Sequence, residues 1–377
     1  MTTLEATTAS EGTQEKRVEV PAKKARIASI DAFRGFTVLS MIFVIQVAGY
    51  TNLPFTQSWF GSAPVSQFHH AGDAVGNING AGLTFTDLVA PFFVFIVGMV
   101  LPLSKRKRGG EFWKHVGTRT FLLIALGVLY ISLILNLSYW WGILQAIGIA
   151  YFMGATLMLL EPKWRWAVVV LIAVFHQVMS LNFSWWLTLG DAAKPFLTIT
   201  NPAGDPLRPL TVHCTPWASI SYGLITVIGT FLGEAVLTRE PRKIIRQSLI
   251  MGSVLCAAGY ALHLYQWPVF AMNKPNVSVS YAIFTSGAAS FTFLIFYLIM
   301  DVWKVQKWAW PFMVFGSNAL LGYFLQPIVR IFLFALGFKP FFSGHSGWDG
   351  MLFGLIWTAI IWVVLLWCNK RNIYWKI

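Results

Sequence analysis

Ten apolar runs constrain this chain more than any other feature. They lie near 30–50, 84–104, 118–137, 142–160, 166–186, 216–237, 246–265, 281–302, 311–336 and 350–368. Each is long enough to cross the roughly 30 Å hydrocarbon core as a helix. In lipid every backbone polar group must be satisfied within the protein, so runs of this length read as spanning helices. With 56% of its 377 residues hydrophobic and 11% charged, a soluble fold could not hide the apolar surface. The expected fold is all-α: a polytopic integral membrane bundle of about ten transmembrane helices. Residues 1–28 are polar and lack the apolar core of a signal peptide, so they read as a disordered cytoplasmic tail. Residues 29–377 form the transmembrane domain. Three scattered cysteines supply neither a disulfide framework nor a paired metal motif, and no metal is expected.

Orientation follows from Lys and Arg. Arg34, the tail and the segments 105–119, 163–165, 239–246, 304–307 and 370–376 hold 23 of the 28 basic residues. The alternate loops hold Lys194, Arg208, Lys274, Arg330 and Lys339, balanced by five acids. The net charge of +13 thus gathers on one face, which the positive-inside rule makes cytoplasmic, with both termini inside. That face suits anionic lipid and a polyanionic cytosolic ligand such as a coenzyme. No basic stripe interleaved with exposed aromatics points to nucleic acid.

Polar residues within or beside the runs mark the candidate site. The stretch 69–98 carries His69 and His70 in a polar loop, then Asp87 at the head of an apolar helix and Pro91 four residues later. Proline cannot donate to the carbonyl of residue 87 and crowds it, so a bend is expected there. A freed carbonyl and a carboxyl at membrane depth must face protein or a wet cavity. Gln46, Asn136 and Gln145 fall at the same outer level, and His176 near mid-membrane. Asp31, Arg34, Glu234 and Asn318 lie toward the cytoplasm. Structural readings accompany several of these: a local i, i+3 ion pair for Asp31 and Arg34, and small-residue packing with one interhelical hydrogen bond for Gly316–Gly322. Either histidine of the pair can serve as the reactive imidazole on spacing alone.

Five blocks in order resemble one family. SIDAFRGFTVLSMIFV (29–44), HA followed by GLTFTDLVAPFFVFIVG (70–98), GILQAIGIAYFMGA (142–155), MNKPNVSVSYAIFTSG (272–287) and FGSNALLGYFL (315–325) resemble the heparan-α-glucosaminide N-acetyltransferases and their bacterial relatives. The resemblance implies a transmembrane acyltransferase that uses cytosolic acetyl-CoA to acetylate an amine or hydroxyl of a sugar on the external side. It maps the family's essential histidine onto His70, with His69 as fallback. The chain departs from the pattern where His70 and Gly82 stand twelve apart, and at Ile45, Ala146 and Val277. Those departures surround the expected acceptor pocket.

The residue types suit acyl transfer. A thioester is already activated, so the protein must position the acceptor, take its proton and stabilise an oxyanion. Imidazole can be the base, or can carry the acetyl group itself. The expected catalytic set is His70, His69 and Asp87, with Gln145, Asn273 and Lys274 binding substrate and Arg34 and Asn318 contacting the coenzyme. Expected partners are membrane lipid, a glycan acceptor and, as a homodimer, a second copy; the expected compartment is a bacterial inner membrane. The competing reading is a transporter or flippase for a small polar or glycan-linked substrate, which would also use a broken helix and a two-sided polar path.

Overall fold

The computed structural model describes residues 27–47, 67–70, 82–135, 142–182, 218–265, 271–274, 277–342 and 344–375. Most of the tail, Asn136 and the greater part of the 51–83 loop lie outside the described residues. Regular structure among the described residues is helical. The α-helices are α1 (Ala28–Val47), α2 (Phe85–Arg108), α3 (Phe112–Leu135), α4 (Ile143–Leu157), α5 (Pro162–Asn182), α6 (Ala218–Thr238), α7 (Pro241–Leu264), α8 (Val279–Tyr297), α9 (Trp310–Ser317), α10 (Ala319–Ala335) and α11 (Gly347–Lys370).

Each of the ten apolar runs coincides with a helix, with one difference: the 311–336 run is divided at Asn318, and its two pieces meet at 72°. By length and hydropathy, six stretches among the described residues are able to cross a membrane, and seven if the bent pair is one span. This is fewer than ten for physical reasons. Helix α4 has only 15 residues, and Trp164, Trp166, His176 and Gln177 dilute α5. Helices α2 and α3 follow each other through the single turn Gly109–Glu111 and count together as Phe85–Tyr130.

Helix α6 is the centre of the bundle. It is buried almost from end to end, as expected of a helix that is apolar all round. Its Thr226 and Thr230 hydroxyls donate back to the carbonyls of Tyr222 and Val227, at 3.2 and 2.6 Å, so they are satisfied within the helix. Helix α2 lies along it at very close range. A Cβ on Gly98 would stand 2.0 Å from the Thr226 carbonyl oxygen, so no larger residue fits that crossing.

Helices α1, α9 and α11 build a second cluster around Ile42, Phe315, Trp357 and Ile361. The small-residue packing expected at Gly316 is present: a Cβ there would meet the Asp31 carbonyl oxygen at 2.1 Å. The Asp301 carboxylate accepts the Ala28 and Ser29 N–H groups at 3.3 and 3.1 Å, closing the N-terminus of α1.

Candidate active site

The site is assembled on the first turn of α2. Thr84 is its N-cap and Asp87 its third residue, and the Asp87 Oδ2 accepts the Thr84 N–H at 3.1 Å. The short segment 67–70 is laid across the same turn. Gln67 Oε1 accepts the Phe85 N–H at 2.8 Å, and the Gln67 carbonyl accepts the Thr86 N–H at 3.1 Å and its hydroxyl at 3.0 Å. These are donors that a helix start otherwise leaves unpaired. The Thr84 hydroxyl stands 2.6 Å from the His69 carbonyl oxygen and 3.0 Å from Asp87 Oδ2, able to donate to one at a time. Phe68 meets Phe43 of α1 edge to face at 5.5 Å.

That clamp delivers His70 onto Asp87. The imidazole Nδ1 is 2.7 Å from Asp87 Oδ1, and the carboxylate is 1% exposed. A buried carboxylate is acceptor only, so it holds the tautomer with the proton on Nδ1 and turns Nε2 away from itself. On that side stands Lys274, whose Nζ is 2.7 Å from Nε2 and 3.1 Å from Nδ1. The two nitrogens cannot both aim lone pairs at one ammonium, so Lys274 donates to Nε2 and lies against the ring.

Lys274 arrives on the segment before α8, a helix that packs against α2. The Gly82 N–H donates to the Met272 carbonyl at 3.0 Å, which ties this segment to the approach of α2. Asn273 and Ser278 exchange bonds: the Asn273 N–H donates to the Ser278 hydroxyl and the Ser278 N–H to the Asn273 carbonyl, each at 3.0 Å. The turn from Lys274 closes on the Val277 N–H at 3.0 Å, and Val277 is fully buried with φ +50°. A β-branched residue in left-handed backbone is costly, and such strain persists only where the surroundings enforce it.

Pro91 leaves the Asp87 carbonyl without its helical donor. Helix α2 nevertheless runs through Pro91 uninterrupted, and the Tyr281 hydroxyl of α8 donates to that carbonyl. One residue is therefore held by both its carboxylate and its carbonyl, from three separate parts of the chain. Sequence reasoning missed Tyr281, although the orphan carbonyl called for a donor and Tyr281 stands in a motif block. It also missed Gln67 and Thr84, the latter visible as a Thr-x-x-Asp helix start.

The remaining candidates lie elsewhere. His69 contributes its carbonyl to Thr84. Gln145 closes the start of α4, its Oε1 accepting the Gly142 N–H at 3.1 Å. Arg34 pairs with Asp31 at 2.8 Å and donates from Nε to the Gly316 carbonyl at 2.8 Å. Asn318 sits at the break between α9 and α10, where its Nδ2 donates to the Ile373 carbonyl at 2.8 Å and its Oδ1 accepts the Trp375 N–H at 3.0 Å. The structure thus brings together His70, Asp87 and Lys274, with Asn273 adjacent in the backbone.

The chain matches the family model described as heparan-alpha-glucosaminide N-acetyltransferase, catalytic, over residues 26–267. It is 25% identical to the mouse (Mus musculus) heparan-alpha-glucosaminide N-acetyltransferase over 430 residues, covering 93% of this chain and 60% of that protein. It is 34% identical to the human (Homo sapiens) protein of the same name over 155 residues, 37% of this chain and 20% of that one. The chain therefore spans less than two thirds of the length of these relatives. The matched region holds His70 and Asp87, while Lys274 falls just beyond it. With its apolar helices and this match over most of its length, the chain is an integral membrane protein that belongs to the heparan-alpha-glucosaminide N-acetyltransferase catalytic family.

Proposed function

We propose that this protein is a membrane-embedded acyltransferase that moves an acetyl group from cytosolic acetyl-CoA to an amine or hydroxyl of a sugar on the external side. The observation that carries the reading is the His70 imidazole held between a buried Asp87 and Lys274. In an amine acceptor, the nitrogen lone pair attacks the thioester carbonyl while His70 Nε2 takes the proton. That attack forms the C–N bond and the tetrahedral intermediate, whose collapse re-forms the carbonyl, breaks the C–S bond and returns the proton to the leaving sulfur. Asp87 fixes the ring and balances the imidazolium. Lys274 must leave Nε2 for the base to act, and its released N–H groups are then free to donate to the oxyanion.

This reading keeps ten crossings with both termini in the cytoplasm and, as compartment, the bacterial inner membrane; the asymmetric basic charge and the helix in every apolar run support the topology. The test is transfer from labelled acetyl-CoA to glucosamine-terminated glycans in proteoliposomes. His70→Ala should reduce kcat by about 100-fold or more, and His69→Ala should keep most of it. Full activity in His70→Ala would remove the assignment. The bent α9–α10 pair is the observation that favours a carrier instead. Glycan movement without any release of free CoA would establish that second reading.

A further inference from the structure

Arg165 and Arg119 of the basic segments are both drawn in from solvent with an unpartnered Nε, and a carboxylate meets only the first. Arg165, at the start of α5 and 2% exposed, donates from Nη1 to Thr230 at 2.9 Å and from Nη2 to Glu234 at 2.7 Å. Arg119 of α3 is half-buried, and its guanidinium carbon lies 4.7 Å from the ring centroid of Tyr151 in α4. Its Nε is shut away from solvent without a hydrogen-bond partner. The Tyr151 hydroxyl is in the same state on a residue 2% exposed, and so is the Thr120 hydroxyl. Among the described residues no carboxylate pairs with Arg119.

Ring contact offsets part of the charge but leaves the Nε–H without an acceptor. Burying a cation without a counter-charge is costly, so this corner suits an anion. Its surroundings agree. Lys105, Arg106, Lys107 and Arg108 end α2, Lys114 opens α3, and Glu111 is the single acid from 105 to 119. His115 lies among them, held below its ordinary value by burial and then by the positive charges of Arg108 and Arg119.

We propose that Arg119 and Tyr151, with Lys105 and Arg108 of the same basic segment, form a binding site for a phosphate ester. A planar guanidinium takes two phosphate oxygens at once, and a phenol adds a third donor; point-charge lysines at the rim complete the neutralisation. The same chemistry has two sources, the phosphates of the acyl donor or the headgroup of an anionic lipid. The first source rests on the proposed function.

The experiment uses the full chain in nanodiscs of phosphatidylcholine, titrated calorimetrically with inorganic pyrophosphate and with CoA. Wild type should bind both. Arg119→Gln should weaken both by tenfold or more, Arg119→Lys by less, and Tyr151→Phe by about threefold, while Lys339→Gln on the opposite loops changes neither. Tyr151→Phe keeps the ring beneath the Arg119 guanidinium and removes only the hydroxyl, which guards against misfolding as the explanation. In parallel, nanodiscs containing phosphatidylglycerol are examined by native mass spectrometry. Retained phosphatidylglycerol that is lost in Arg119→Gln, with no pyrophosphate binding, assigns the same site to a lipid headgroup. The proposal is overturned if neither ligand affinity nor lipid retention depends on Arg119 and Tyr151. His70→Ala separates the two readings, because it should abolish transfer and leave pyrophosphate binding intact.

Discussion

Asp87 is asked to do more than any other residue. Its two carboxylate oxygens face the His70 ring and the Thr84 N–H, and its carbonyl receives the Tyr281 hydroxyl. Asp87→Asn keeps an acceptor for the helix start but offers the imidazole an amide that cannot balance its charge. Transfer should fall by about 10²-fold or more, with the apparent KM for acetyl-CoA changed little; steady-state kinetics in proteoliposomes measure both. Tyr281→Phe tests the other bond. It strips the Tyr281 donor from a buried carbonyl that Pro91 cannot serve, so stability should drop by about 1–3 kcal/mol. Thermal unfolding in detergent reads that loss, and substitution of Pro91 by Ala in the same background should restore part of it. The histidine–aspartate pair could be anticipated from Asp87 and Pro91 in one helix after a histidine loop. Lys274 could be anticipated only as a member of a motif, because nothing in local spacing says that a residue 204 positions away meets the ring.

Helices meet here through missing side chains and through interruptions that periodicity does not reveal. Gly98 lets α2 lie on α6, and Gly98→Leu should destabilise by about 1–3 kcal/mol or prevent assembly, seen as a lower melting temperature or as aggregation in size-exclusion chromatography. The break at Asn318 was read as continuous hydrocarbon, since Ala, Leu and Gly on either side carry no stop signal. What permits the turn is remote: the Asn318 amide bonds to the backbone at Ile373 and Trp375. The coenzyme role expected of Asn318 and Arg34 is for this reason weaker than the structural roles their partners give them. At the other end of the element, His345 contacts Asp349 through Nδ1 and the Phe341 carbonyl through Nε2, at 2.7 Å for the latter. Both neighbours accept, so the doubly protonated ring is favoured and its pKa is raised, first by the Asp349 bond and then by the Phe341 carbonyl. A raised value contributes stability that is full below about 6.5, the ordinary pKa, and is lost as pH rises through the folded value. Melting temperature should therefore decline from about pH 6.5 upward, and His345→Gln should flatten that decline.

At the scale of the whole molecule, hydropathy carried most of the fold: helices lie in all ten apolar runs, one of them as two pieces. Only the assembly of distant segments, which hydropathy does not encode, stayed hidden. The proposed topology predicts labelling. Single cysteines at Lys107 and Lys243 in a background lacking native cysteines should react with impermeant maleimide only in inside-out vesicles, and one at Lys339 only in right-side-out cells. Reaction of all three from one side would refute it. The segment 67–70 has a further consequence. Bonds that Gln67 makes with α2 set the position of His70. A lesion at Gln67 or Thr86 should then silence the protein as thoroughly as losing the imidazole, although neither residue touches a reacting atom, and a search for inactive variants confined to the pocket lining would never find them.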